Sequence, residues 1–156
     1  MKKIVLFAAA IAALGFSSCK STSNNKSVEF NVNTMDGRWK VVELNGEKVN
    51  TSEEDGPFML LDFTAARLSG RGGCNITNGN IVLDSTNAAA IKFPQVMTTM
   101  MACPEPLMNL EQNYLRALNS VAKVVPAEDG KYNFVDEAGN TLFVVEKAKE
   151  ESVPKN

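Results

Sequence analysis

The chain has 156 residues, which is enough for one domain and too few for two comfortable ones. Its 16 basic and 18 acidic residues give a formal net charge of −2 and form no basic stripe, so the sequence predicts no nucleic-acid surface. Histidine is absent, which excludes Ser-His, Cys-His and His-ligated metal chemistry near neutral pH. Catalysis by a lysine or a carboxylate pair stays open, but no compact group of such residues marks a site. We therefore expect a protein that is not an enzyme and that uses no cofactor and no metal.

The chain begins like an exported protein. A basic start at Lys2 and Lys3 is followed by an apolar run over residues 4–16. A helix of that run rises only about 20 Å, too short for a hydrocarbon core of about 30 Å, so residues 1–18 are predicted to be a signal peptide. Ser17, Ser18 and Cys19 resemble a bacterial lipobox, in which the cysteine is lipidated and becomes the mature N-terminus. The alternative is ordinary secretion with a spare thiol at Cys19.

The lipobox resemblance implies more than one acyl chain on Cys19, and two chains anchor a protein stably to a membrane. Lys20 does not look like an acidic inner-membrane retention signal, and no acidic run follows Cys19. We therefore expect an outer-membrane lipoprotein whose domain faces the periplasm. Residues 19–34 are rich in Ser, Thr, Asn and Lys and are predicted to be a flexible tether, with an edge strand over residues 28–32 as an alternative. Residues 148–156 are predicted to be a disordered tail.

The folded domain is predicted to span residues 35–147 and to be mainly β (α+β). Alternating residues 38–44 lead into Asn45-Gly46, a strong type I′ hairpin pattern. Residues 58–63, which follow Pro57, are apolar at nearly every position and are predicted to form a strand buried on both faces. Turn-forming residues separate further short strands, predicted at 67–70, 79–83, 89–93, 131–135 and 141–146.

One helix is predicted between Pro106 and about Val121. Its apolar stripe comprises Leu107, Leu110, Tyr114, Leu118 and Val121, and Glu111, Gln112, Arg116 and Asn119 are placed outside it. About seven strands and one amphipathic helix predict a small antiparallel, barrel-like sheet with the helix packed on it.

Two segments are candidates for function. The run of Arg71, Gly72, Gly73, Cys74 and Asn75, preceded by Gly70, is compatible with left-handed or crowded backbone and with an anion-binding nest of amides. The alternative is a sharp turn or bulge with Asn75 bonded locally. Residues 98–104 contain Met100 and Met101, which suit either an adaptable partner surface or the filling of irregular core gaps.

Cys74 and Cys103 are the thiols that remain once Cys19 is acylated. In an oxidising compartment they are predicted to form a disulfide. Two buried free thiols, or a reactive Cys103, are the other readings.

These segments resemble the META domain family, which includes the bacterial heat-shock protein HslJ. The resemblance covers about residues 35–146 and rests on four ordered motifs and the helix that follows them: Gly37 and Trp39; Asn45-Gly46; Gly70 with Gly73, Cys74 and Asn75; and Thr99, Met101, Ala102 and Cys103. One departure is Thr77, where members often carry an aromatic residue. The resemblance implies a compact β-rich domain with a helix and no established catalytic residue, and its motif positions look structural.

The leading functional hypothesis is a non-catalytic envelope lipoprotein that serves stress-related protein interaction or envelope maintenance. It would contact the membrane through Cys19 and an unidentified envelope protein or cell-wall component. The alternative is a carrier for a small apolar ligand in a β-barrel interior, unless that interior is filled by Phe58, Leu60, Phe63, Phe93, Phe134 and Phe143.

Overall fold

The computed structural model describes residues 35–50 and 56–148. The predicted signal peptide, lipidated Cys19, tether and, from residue 149 on, tail lie outside the described residues. Within the described ranges, none of the helices combines the length and the apolar character needed to cross a membrane.

The described part of the chain forms eleven strands and one α-helix. The strands are β1 Gly37–Leu44, β2 Glu47–Lys48, β3 Phe58–Asp62, β4 Arg67–Arg71, β5 Ile76–Asn80, β6 Val82–Asp84, β7 Asn87–Lys92, β8 Met97–Thr98, β9 Lys123–Pro126, β10 Tyr132–Val135 and β11 Thr141–Lys147, and helix α1, Glu105–Ser120, lies between β8 and β9.

All pairings between these strands are antiparallel, in the order β6-β7-β9-β10-β11-β1-β3-β4-β5-β8, with β2 added to β1. Only Ile81 separates β5 from β6, so the chain itself connects the first strand of this order to the last but one. The sheet curls into a half-barrel with α1 packed on it, which confirms the predicted fold class.

The first hairpin has the predicted turn. Asn45 and Gly46 both have positive φ, 52° and 82°, as a type I′ turn requires. The turn returns the chain into β2, whose Glu47 pairs with Leu44.

The prediction that residues 58–63 are buried on both faces is wrong. Within β3, Met59 and Leu61 are buried, whereas Leu60 is 43% exposed. The Arg38 guanidinium lies 3.7 Å from the centre of the Phe58 ring on the outer face. An antiparallel sheet commonly packs one face on the core and leaves the other to solvent, so a continuous apolar run does not require two buried faces.

The described residues form more strands than the seven predicted, because several strands are very short or end at a proline. The strand predicted at 79–83 is two strands, β5 and β6, divided at Ile81, and β8 and β9 lie outside the predicted strands. Two-residue β8 has too little sequence for a period to be read, and proline, which closes β9, argues against a strand.

Aromatic rings fill the space between the sheet and α1. Phe134 lies 4.7 Å from Phe143 and 6.1 Å from Phe93, between ring centres, and Tyr114 of α1 lies 6.2 Å from Phe143. Trp39 is buried, donates its indole N–H to the Met35 carbonyl at 2.8 Å and meets a tyrosine ring edge-on. Each such side chain contributes roughly 1.5–3 kcal/mol through burial. Of the six residues expected to fill the interior, Phe93, Phe134 and Phe143 are buried, Phe58 and Phe63 are half-buried and Leu60 is exposed.

Candidate functional site

The two candidate segments meet in space beside α1. Residues 72–75 connect β4 to β5, and residues 99–103 lie in the connection from β8 to α1. A disulfide joins Cys74 to Cys103 with their Cα atoms 6.4 Å apart. We call residues 72–75 and 99–103, together with Glu111 of α1, the motif junction.

Asn75 connects the two segments through its side chain, which is 3% exposed. Its Oδ1 accepts hydrogen bonds from the Thr99 hydroxyl and from the Met101 amide, both at 2.8 Å. Its Nδ2 donates to the Met101 carbonyl at 3.3 Å. The side-chain amide of Asn75 therefore binds both backbone polar groups of Met101, as a neighbouring strand would.

Glu111 fixes the same turn to the helix. Its Oε2 accepts the backbone amides of Cys74 at 3.1 Å and Asn75 at 2.5 Å, and its Oε1 accepts Asn75 Nδ2 at 2.9 Å. The side chain is largely buried, and hydrogen bonds to a carboxylate are about twice as strong as neutral ones. The turn does bind an anion at its amides, but that anion is the carboxylate of the chain's own Glu111.

The glycines of this turn are needed for close approach. Gly70, Gly72 and Gly73 are not among the positive-φ glycines of the described residues, so of the two expected kinds of backbone, left-handed or crowded, this turn has the crowded one. A Cβ on Gly72 would lie 2.5 Å from the Tyr114 ring, and one on Gly73 would lie 2.4 Å from the carbonyl oxygen of Leu107. The turn thus packs directly on α1.

Sequence reasoning missed Glu111, which it placed outside the apolar stripe of α1. The structure buries Glu111 on the packed face. Positions 107, 111, 114, 118 and 121 also have helical spacing. The sequence therefore allows Glu111 to lie on the same face of the helix as Leu107 and Tyr114 and to be buried there.

The remaining motif positions are spread through the fold. Gly37 opens β1 with a φ of 104°, Trp39 lies in the core, and Ala102 is exposed. Thr77, at the position where the resemblance leads one to expect an aromatic ring, is fully buried and pairs with Gly70 and Thr98.

Four methionines are exposed, of which Met100 and Met101 belong to the junction and Met97 and Met108 lie near it in the sequence. The exposed fractions are 68% for Met97, 96% for Met100, 54% for Met101 and 39% for Met108. The core-filling alternative is therefore wrong for Met100 and Met101, whereas Met35 and Met59 are fully buried. We call the four exposed residues the methionine surface. Ile76 in β5 is also exposed, by 46%. Its backbone N–H donates to the Thr99 hydroxyl and its carbonyl accepts the Thr99 N–H, so it lies next to the segment that carries Met100 and Met101.

A second feature is a cleft of about 670 Å³, open to solvent, between the end of β7, the end of α1 and the β10–β11 loop. Asp136 lines it and accepts the side-chain amide of Asn140 at 2.9 Å and its backbone N–H at 2.8 Å. The side-chain bond to Asn140 first, and then its backbone bond, hold the pKa of Asp136 below its ordinary value. The carboxylate closes the β10–β11 loop.

Burial raises the pKa of Tyr114, which keeps its phenol protonated. Over residues 35–50 and 56–148 no three His, Cys, Asp or Glu side chains are grouped to hold a metal ion.

Comparison with known proteins places these features in a family. The family model described as the META domain matches residues 31–149. No curated protein matches the chain.

Solved structures share the fold at low sequence identity. A protein from Burkholderia xenovorans, solved by NMR, is 20% identical with a TM-score of 0.58, over 74% of this chain and 83% of that one. The crystal structure of a DUF4847 family protein from Bacteroides vulgatus ATCC 8482 is 13% identical with a TM-score of 0.55, and the match covers 78% of this chain and 100% of that chain. At these identities the likeness establishes the fold.

Proposed function

Because the chain belongs to the META domain family, and because the polar groups of its motif junction are bonded to one another, we propose that it is a non-catalytic interaction module of the cell envelope. The methionine surface is its contact site. The observation that carries this proposal is the exposure of four methionines within the junction and in the adjoining β8 and α1.

The bonding of the junction argues against catalysis there. A nucleophile or a general base needs a group that is free to reach a substrate. Both carboxylate oxygens of Glu111 accept hydrogen bonds from the turn. Asn75 donates through Nδ2 to Glu111 and accepts through Oδ1 from the Met101 amide, and the sulfurs of Cys74 and Cys103 are joined in a disulfide. The junction therefore holds a surface in place.

The surface suits an extended apolar segment of another polypeptide. Strand β8 ends the strand order and pairs with β5 alone among the described strands, and a strand with a free edge can accept a further strand. Methionine side chains are flexible and polarisable, so they adapt to varied apolar partners. An exposed, unfolded envelope protein under stress presents such segments.

The location belongs to the same proposal. A lipid on Cys19 would hold the domain at the outer membrane, facing the periplasm, and residues 19–34 would let it reach partners away from the headgroups. The composition of residues 1–34 supports this part.

Binding of a fluorescein-labelled short peptide of alternating valine and threonine tests the proposal directly. Fluorescence anisotropy on the full chain should give saturable binding, weakened about tenfold or more when Met97, Met100 and Met101 are all changed to serine, which corresponds to about 1.4 kcal/mol. Val82→Ser is the matched control, because Val82 is 50% exposed in β6, at the other end of the strand order. Absence of saturable binding, or equal affinity of the triple variant, would refute the proposal.

A further inference from the structure

The six methionines of the described residues fall into two sharply different groups. Met35 and Met59 have no exposed surface, whereas the residues of the methionine surface are 39% to 96% exposed. Methionine oxidation depends on the access of the oxidant to the sulfur atom. We propose that the methionine surface is a modification site for two-electron oxidants of the peroxide class.

The chemistry needs no catalytic residue. A lone pair on the thioether sulfur attacks one oxygen of hydrogen peroxide, an S–O bond forms as the O–O bond breaks, and the leaving hydroxide takes the proton of the hydroxyl now on sulfur to become water. The sulfur is oxidised to a sulfoxide and the peroxide is reduced. Return to the thioether requires a methionine sulfoxide reductase and a thiol reductant.

The fold tolerates the added oxygen because these side chains are not part of the core. Asn75 binds the backbone amide and carbonyl of Met101, leaving its sulfur out of the network. Met97 pairs with Asn78 in the sheet ladder, which is formed by backbone groups. Oxidation therefore changes the surface and leaves the motif junction in place.

A sulfoxide is polar, so oxidation turns an apolar contact surface into a polar one. On the proposed function, which this step rests on, the modified protein releases its extended apolar partner. The surface then responds to the oxidant level of its compartment.

Hydrogen peroxide titration of the full chain, followed by peptide mass spectrometry and thermal unfolding, tests the modification. Met100 should react first, followed by Met97, Met101 and Met108, with Met35 and Met59 at least about tenfold slower until denaturant is added. The melting temperature of the modified protein should stay within about 2 °C of the native value. Equal reactivity of Met35 and Met59, or a melting temperature several degrees lower, would overturn the proposal.

Anisotropy with the valine-threonine peptide then separates this inference from the proposed function. The oxidised protein should bind about tenfold more weakly, and a variant with all four surface methionines changed to leucine should keep its affinity after peroxide. If the untreated protein binds and the oxidised protein binds equally, the release step is wrong. If the untreated protein does not bind, the proposed function fails and the modification site is judged by the mass spectra alone.

Discussion

Replacement of Glu111 tests the motif junction most sharply. Its carboxylate accepts three hydrogen bonds, from the Cys74 amide, the Asn75 amide and the Asn75 side chain, at 3.1, 2.5 and 2.9 Å. In Glu111→Gln one oxygen can still accept the two backbone amides, but an NH2 group then faces the NH2 group of Asn75. The bond to the Asn75 side chain is lost, the two bonds to backbone amides are no longer charge-assisted, and an N–H of the Asn75 side chain is left unpaired, so we expect a loss of about 2 to 4 kcal/mol.

Glu111→Ala leaves the Cys74 and Asn75 backbone amides without an acceptor and leaves Asn75 Nδ2 only the Met101 carbonyl, so it should cost about 3 to 5 kcal/mol. Urea unfolding followed by circular dichroism measures both variants, and the midpoint should fall with the slope unchanged. Glu128→Gln, at an exposed glutamate in the short 3-10 turn after β9, is the matched control and should lie within about 0.5 kcal/mol of wild type. If Glu111→Gln unfolds at the wild-type midpoint, the network does not stabilise the fold and the reasoning is refuted.

Other positions give further expectations. The double change Cys74→Ala and Cys103→Ala removes a disulfide with a sequence separation of 29 and should lower the free energy of unfolding by about 3 to 4 kcal/mol, measured with urea. An unchanged urea midpoint in the double variant, or in the wild-type protein after reduction, would show that the disulfide does not stabilise the fold. Gly70→Ala places a Cβ 2.3 Å from the Phe58 carbonyl oxygen and should lose about 1 to 3 kcal/mol. Gly79→Ala, whose nearest contact is a Val96 methyl at 3.4 Å, should lose clearly less in the same unfolding assay, and equal losses would contradict the packing argument. Trp39→Ala removes a buried indole and its 2.8 Å hydrogen bond, so it should cost about 3 to 5 kcal/mol in thermal or urea unfolding, and an unchanged melting temperature would show that the indole is not part of the core.

Those features of the fold that depend on local patterns could be predicted from the sequence. The Asn45-Gly46 turn requires positive φ at both residues, and few other dipeptides adopt it readily. The spacing of apolar residues predicts the helix, and the many short strands separated by turn residues predict the fold class. The structure contains the disulfide that the sequence predicts between Cys74 and Cys103.

Features that depend on contacts between distant segments could not be predicted. Strand β8 exists because Thr99 and Thr98 bond to Ile76, residues far apart in the chain. The role of Glu111 depends on a turn 36 residues away. The 96% exposure of Met100 could not be predicted from its apolar side chain, because methionine occurs both in cores and on surfaces. That exposure depends on the path of residues 99–103, which the hydrogen bonds to Asn75 fix.

Hydrogen exchange of individual amides, followed by NMR, tests most directly whether the motif junction is a rigid support formed by the chain's own Glu111 and Asn75. The Asn75 and Met101 amides lie outside the strands but donate to a buried carboxylate and a buried side-chain amide. They should exchange with opening free energies close to that of global unfolding. Exchange as fast as at Ser85, in the exposed β6–β7 turn, would contradict the account.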